Sequence, residues 1–482
     1  MDSLAFASVK TLAEKMKRKE LTPREVSTYF LKRIERFNPQ LNAVLERFDA
    51  DTLALDVLPQ GPLHGIPGLV KDVLCQKSRI ASCSSKILAN FVAPYDATAV
   101  KRLKENGAVS LGRTNCDEFA MGSSNETSAY GPVFNPWNLK HSSGGSGGGS
   151  AVSVAAGLVP WALGTETGGS VRQPAAFCGI VGSKPTYGLV SRLGLIAYGS
   201  SLDAIGVNTR TVYDNALILG LMAGNDPWDA TSTPAKGPFN FTAQLDGTIT
   251  PGLRIGVIKN ALYAKGMNGE LQACLEAALK QLEALGAIVS EIELPSLEYG
   301  AAVYFMTSRA EAASNLARFD GIRYGFRAQG VSSLRELYEK SRAEGFGREV
   351  KRRILLGNFV LSAGHADKYY ESACTVRQLM RAEMMESFKR VDLLFAPVSA
   401  APAFKVGEVA DPLEMDLQDY FTCPANLTCV PAVSVPCGFV SGLPVAFQLM
   451  GPHFSEALIF KTLHAYEQAT EWHTKHPQGF GD

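Results

Sequence analysis

Two glycine clusters fall close together in the segment His141 to Arg172, HSSGGSGGGSAVSVAAGLVPWALGTETGGSVR. Alone, GGSGGGS has the composition of a flexible linker. Its surroundings exclude that use, because the uncharged run Ala151 to Leu163 is apolar enough to require burial and a second cluster ending in Ser170 follows it directly. The pattern predicts a buried helix bracketed by two small-residue turns. Glycines at 144, 145, 147, 148, 149, 168 and 169 leave Ser146 and Ser170 in turns where few side chains obstruct approach. A fold that contains this segment needs a core large enough to swallow it.

The rest of the chain supplies that core. Its 482 residues, 46% of them apolar, suffice for one large domain or about two to three ordinary ones. The first forty-five residues read as helical: Thr22, Pro23 and Glu25 form a capping box with proline at the first helical position, Val26, Phe30 and Ile34 share a stripe, and Asn38-Pro39 is expected to end the helix. From Pro62 onward short apolar segments alternate with helical ones, and Gly107 to Leu111 reads as a strand after a helix. Residues 225 to 250 form the clearest break, rich in Pro, Gly, Asp and Thr. A βαβ unit follows, with LRIGVI, a helix through Leu271 to Leu285 stopped at Gly286, and AIVSEIEL. VPAVSVPCGF and LPVAFQLMG read as late strands, with the amphipathic ALIFKTLHAYEQAT able to pack over them. Strands alternating with helices indicate an α/β fold.

The 47 Lys+Arg match 47 Asp+Glu, which removes nucleic-acid or anionic-membrane binding through bulk charge. Nine cysteines without a CxxC pair and seven scattered histidines suggest neither a disulfide framework nor a metal site. With no membrane-length apolar run and no secretion-signal order at the start, the expectation is a cytoplasmic chain without membrane contact.

A phosphate cradle would need Lys-[Ser/Thr] after the last glycine, and Ser150-Ala151 and Ser170-Val171 stand there instead. A serine nucleophile fits better: Gly168-Gly169-Ser170 offers successive N–H groups for an oxyanion while Ser170 attacks. No histidine is linked to either cluster, so a desolvated lysine is the candidate base. Lys71, set among Leu69, Val70, Val73 and Leu74, has the apolar setting that lowers an ammonium pKa. From context alone a snorkelling Lys71, or one paired with Asp72, stands equally open. Arg172 reads as an ion-pair partner of Glu166 or Asp203.

At this point the residues resemble the amidase signature hydrolases, whose hallmark is GGSSGGS followed by GGSxRxPA with a lysine well upstream. Here stand Gly144-Gly145-Ser146-Gly147-Gly148-Gly149-Ser150, Gly168 to Ala175 as GGSVRQPA, and Lys71; Gly147 departs where the family usually has a second serine. The resemblance implies a large mixed β-sheet sandwiched between layers of α-helices, as one domain over 1–482: a helical segment over about 1–60, a signature core over about 61–225 and a C-terminal part over about 250–482. It implies a Ser-Ser-Lys triad of Lys71, Ser146 and Ser170, a cis peptide at Ser146, and an oxyanion site at the amides of Thr167, Gly168, Gly169 and Ser170.

Within the family, TNCDEFAMGSSNETSAYGPVFNPWN, AEAASNLARFDGIRYG and GREVKRRILLG are similar to the glutaminase (A) subunits of tRNA-dependent amidotransferases, over nearly the whole chain. That implies glutamine hydrolysis to glutamate and ammonia, with ammonia passed to a tRNA-amidating B subunit that converts Glu-tRNA(Gln), and in some cases Asp-tRNA(Asn), beside a small C subunit. No cofactor is implied for this chain, ATP and magnesium serving the partner's reaction. A glutamine pocket needs a cation for the carboxylate and an acid for the ammonium; Arg352 or Arg353 can supply the first, and the resemblance selects Arg352, Asp419 and, more weakly, Tyr304. The runners-up are a free-standing amidase for small or fatty acid amides and a silent scaffold.

Overall fold

The computed structural model describes residues 4–234, 237 and 239–481. Residues 1–3 of the predicted helical segment, and 235, 236 and 238 of the predicted break, lie outside the described residues.

The N-terminal segment is two helices, Val9–Lys17 and Pro23–Leu41. Thr22 and Glu25 make the reciprocal capping bonds, and Val26, Phe30 and Ile34 are buried as the stripe requires. The helix does not end at Asn38-Pro39 but runs to Leu41. Pro39 sits in the last turn, where its missing N–H deprives only one carbonyl, and Asn42 in the left-handed conformation (φ 51°) stops the helix.

Among the described residues thirteen strands follow: β1 (Val44–Arg47), β2 (Pro67–Lys71), β3 (Val109–Thr114), β4 (Phe134–Asn135), β5 (Asn138–Ser142), β6 (Trp161–Glu166), β7 (Val181–Lys184), β8 (Ala204–Thr209), β9 (Arg254–Ile258), β10 (Ile288–Ile292), β11 (Leu393–Pro397), β12 (Ala432–Val440) and β13 (Leu443–Met450). β4 and β5 pair with each other, and the remaining eleven form one mixed sheet in the order β1-β3-β2-β6-β8-β7-β12-β13-β11-β9-β10. β2 is parallel to both β3 and β6, whereas β6, β8, β7, β12 and β13 pair antiparallel in succession.

The segment read as one buried helix is a helix followed by a strand. Helix Gly148–Ala155 is wholly buried, and β6 follows it. Gly157 at φ 64° turns the chain and Pro160 holds Val159 out of helical geometry, so the remaining apolar residues enter the sheet between β2 and β8. Gly68 of β2 lies opposite Trp161 of β6, where an added Cβ would come within 2.1 Å of the indole. The predicted βαβ unit is β9, helix Gly269–Ala284 and β10, with its strands parallel. Helix Glu456–Gln468 packs on β12 as its amphipathic pattern suggests. Among the described residues no helix is long and apolar enough to cross a membrane.

Candidate active site

Lys71 ends β2, whose five residues are all buried. Its Nζ lies 2.8 Å from Ser146 Oγ and 3.0 Å from the Thr165 carbonyl oxygen. Complete burial drives the Lys71 pKa down, against the pull of Cys116, Asp117, Asp203 and Glu166. It neither snorkels nor pairs with Asp72, which instead accepts from Arg113 Nη1 (2.8 Å) and from the amides of Ser82 (3.1 Å) and Ser84 (2.7 Å).

Ser146 follows a cis peptide bond from Gly145. Side chains are shut out before it: a Cβ at Gly144 would meet Gln173 Oε1 at 2.5 Å, and one at Gly145 would meet Asp117 Oδ2 at 2.2 Å. The Asp117 N–H donates to the Ser146 carbonyl at 3.1 Å. At Gly147 a Cβ would stand 2.6 Å from the Ser170 carbonyl oxygen, to which the Gly147 N–H donates at 3.1 Å. The two glycine turns therefore touch backbone to backbone.

The second turn leaves β6 at Glu166. Gly169, at φ 133°, would carry any Cβ to 2.1 Å from Thr422 Oγ1, and one at Gly168 would enter the Tyr304 ring at 2.6 Å. Tyr304 OH and Thr167 Oγ1 lie 2.7 Å apart, and Thr422 Oγ1 donates to the Gly168 carbonyl. Among the described residues the N–H groups of Gly168, Gly169 and Ser170 donate to nothing, and Ser170 Oγ makes no hydrogen bond, to Ser146 or otherwise. Buried donors without acceptors at a turn beside a free hydroxyl form a cradle for developing negative charge.

Arg172 is fully buried and meets Glu166 (2.6 Å), the Thr422 carbonyl (2.9 Å), Asn426 Oδ1 (2.7 Å) and Gln448 Oε1. Of the two acids read as its partners, Glu166 is the one it pairs with, while Asp203 has Arg192 at 4.0 Å. Burial would raise the Glu166 pKa, but the adjacent Arg172 guanidinium holds it below the usual value.

The three pocket candidates come from separate elements. Tyr304 lies on helix Gly300–Leu316 over the Gly168 turn. Asp419 is buried, accepts from Ser123 Oγ at 3.1 Å, and is pushed up to about 7 by burial despite Arg353. Arg352 is already forked onto Glu349 (2.8 and 2.7 Å) and reaches Asp416 at 3.3 Å. Sequence reasoning missed Arg309 and Asp416 and passed over Arg353. Arg353 donates to Tyr198 OH (2.8 Å) and Glu349 (2.6 Å), and fully buried Arg309 pairs with Asp416. The Glu349 to Arg353 spacing of a helical pair was a usable signal for Arg353; nothing local marks Arg309. Among the described residues no group of three or more His, Cys, Asp or Glu side chains is placed to hold a metal ion.

Residues 25–460 match the family described as Amidase. The chain is 48% identical over 474 residues to the A subunit of the glutamyl-tRNA(Gln) amidotransferase of Halothermothrix orenii, covering 98% of each. It is 49% identical over 479 residues to the protein of the same name from Lysinibacillus sphaericus, again covering 98% of each. The crystal structure of the glutamyl-tRNA(Gln) amidotransferase A subunit from Thermotoga maritima superposes with a TM-score of 0.83 at 38% identity, covering 97% of this chain and 96% of that one. A 6-aminohexanoate cyclic dimer hydrolase complexed with substrate superposes at 0.85 with 25% identity, covering 98% and 99%. With its mixed eleven-stranded sheet and paired serine-glycine turns, the chain belongs to the amidase family.

Proposed function

We propose that the chain is the glutaminase subunit of a tRNA-dependent amidotransferase, a single cytoplasmic amidase domain working in a complex with a tRNA-amidating B subunit and a small C subunit. The observation that carries this reading is the buried Lys71 amine 2.8 Å from the Ser146 hydroxyl, in a chain alike over 98% of its length to proteins called amidotransferase A subunits. Neutral Lys71 presents its lone pair to Ser146 while an N–H remains on the Thr165 carbonyl. Ser146 passes its proton to Lys71 and, once substrate binding turns the unbonded Ser170 hydroxyl toward it, takes one from Ser170, whose Oγ bonds to the carboxamide carbon. The oxyanion settles on the amides of Thr167 to Ser170. The proton returns through Ser146 to nitrogen, the C–N bond breaks, ammonia leaves, and water releases glutamate from the Ser170 ester by the same relay. Asp419 and Tyr304 line the substrate end with Arg352; ATP and magnesium belong to the amidating partner.

In the assembled complex, Ser170→Ala should abolish glutamine-dependent amidation of Glu-tRNA(Gln) and leave ammonium-dependent amidation intact, since only the ammonia source is lost. Equal loss of both would contradict the assignment. A second reading, a free-standing amidase for small or fatty acid amides, is favoured by one observation: Arg352 already satisfies its fork on Glu349. Fast hydrolysis of simple amides by the isolated chain, without preference for glutamine, would select it.

A further inference from the structure

Asp117 and Glu118 are consecutive, buried, and bonded in different directions. The Asp117 N–H holds the Ser146 carbonyl (3.1 Å), while its carboxylate packs against Gly145 and accepts from the amides of Asn125 (2.9 Å) and Thr127 (3.1 Å). The Glu118 carboxylate takes the N–H of Gly347 on both oxygens (3.1 and 2.9 Å) and the hydroxyl of Ser85. Gly347 is the residue just before helix Arg348–Leu361, so Glu118 takes from a distant segment the N–H of the helix's N-cap residue, the bond that the third helical side chain makes in a capping box. Ser85 also donates to the Gly345 carbonyl at 3.3 Å, and Phe119 packs on Phe346 with ring centroids 5.6 Å apart, so the approach to that helix is fixed on both sides. The first turn of the helix holds Glu349, which takes Arg352 and Arg353, and Arg353 goes on to Tyr198.

No cation forms an ion pair with Glu118 among the described residues; its neighbours Lys351 and Lys86 act only through space, and burial pushes it up to about 7. Burying an acid without a countercharge is costly unless it is hydrogen-bonded, and the bonds of Glu118 go to Gly347 and Ser85. What it holds is one end of a rigid link: two adjacent residues tie the Ser146 turn to the start of the arginine-bearing helix.

We infer that Glu118 is a positioning residue, fixing the Arg348–Leu361 helix against the Ser146 turn and thereby setting how the arginine side of the pocket receives the α-carboxylate of the substrate. The inference rests on the glutaminase reading. Its effect falls on substrate binding, because Glu118 touches neither the reacting groups nor the Lys71 relay.

The test is steady-state glutaminase kinetics of the assembled complex carrying Glu118→Ala or Glu118→Gln, with melting curves for each. Losing a hydrogen bond of about 1 kcal/mol corresponds to roughly a fivefold change in an equilibrium, so Glu118→Ala should raise KM for glutamine about fivefold with kcat changed less than about twofold. Glu118→Gln, which keeps an acceptor for Gly347, should recover most of the KM. Should Glu118→Ala fail to fold, Glu118→Gln must still raise KM measurably above wild type. Unchanged KM in Glu118→Gln and in any folded Glu118→Ala, or a fall in kcat or melting temperature alone, overturns the inference while leaving the glutaminase reading standing. A wild-type complex that does not hydrolyse glutamine overturns both.

Discussion

In the proposed relay Lys71 takes on a chemistry its type does not ordinarily have. The apolar strand that carries it takes it out of water, and that burial disfavours the ammonium form. Removing it disables the entire relay, so Lys71→Ala should lower glutaminase kcat beyond the roughly 10² to 10⁴ of ordinary acid–base assistance, read in single-turnover assays. A loss of tenfold or less would count against the relay. Because burial lowers the Lys71 pKa, kcat/KM should hold from alkaline pH downward and fall only as pH drops through that depressed value. Glycine spacing marks Ser146 and Ser170 and an apolar neighbourhood marks Lys71, but context left Lys71 open between a base and a snorkelling or paired lysine, and only the family likeness joined the three. The state of Arg352 could not be read: Lys351-Arg352-Arg353 reads the same whether a guanidinium faces an empty pocket or, as here, Glu349.

Among the elements, those set by local chemistry were legible: the Thr22 box, the β9-helix-β10 unit and the two late strands all lie where the spacing put them. The apolar run after Ser150 defeated periodicity because a buried helix and a buried strand are equally apolar; Gly157 and Pro160 decided between them. The join between β2 and β6 gives a test. Gly68→Ala would drive a methyl into the buried indole of Trp161, which stands beside it in the sheet. Overpacking of this kind costs about 1 to 3 kcal/mol, so thermal melting should shift down by several degrees. Since β2 also delivers Lys71, glutaminase activity should fall with it. An unshifted melting curve would mean the two strands are looser than they stand here.

Across the molecule the strand order was not readable, because β7 beside β12 and β11 beside β9 join segments far apart in sequence. Membership of one sheet came only from the family likeness. Burial has a collective consequence in acid–base balance. Asp203 is pushed up to about 7 by burial, above an unfolded value of about 3.9. A raised carboxylate favours the folded state while protonated, so its contribution is complete below about pH 3.9 and is lost as pH climbs through about 7. Melting temperatures from pH 5 to 8 should therefore decline less steeply in Asp203→Asn than in wild type; parallel curves would remove Asp203 from the account.

Arg172 joins the Ser170 turn to Thr422, Asn426 and Gln448, groups synthesised some 250 to 276 residues later. A ribosome-bound chain that has not yet emitted those positions holds the serine but not its clamp. A product terminated before Thr422 should therefore keep Ser170 yet release no ammonia from glutamine, an outcome that an assay of the truncated chain checks.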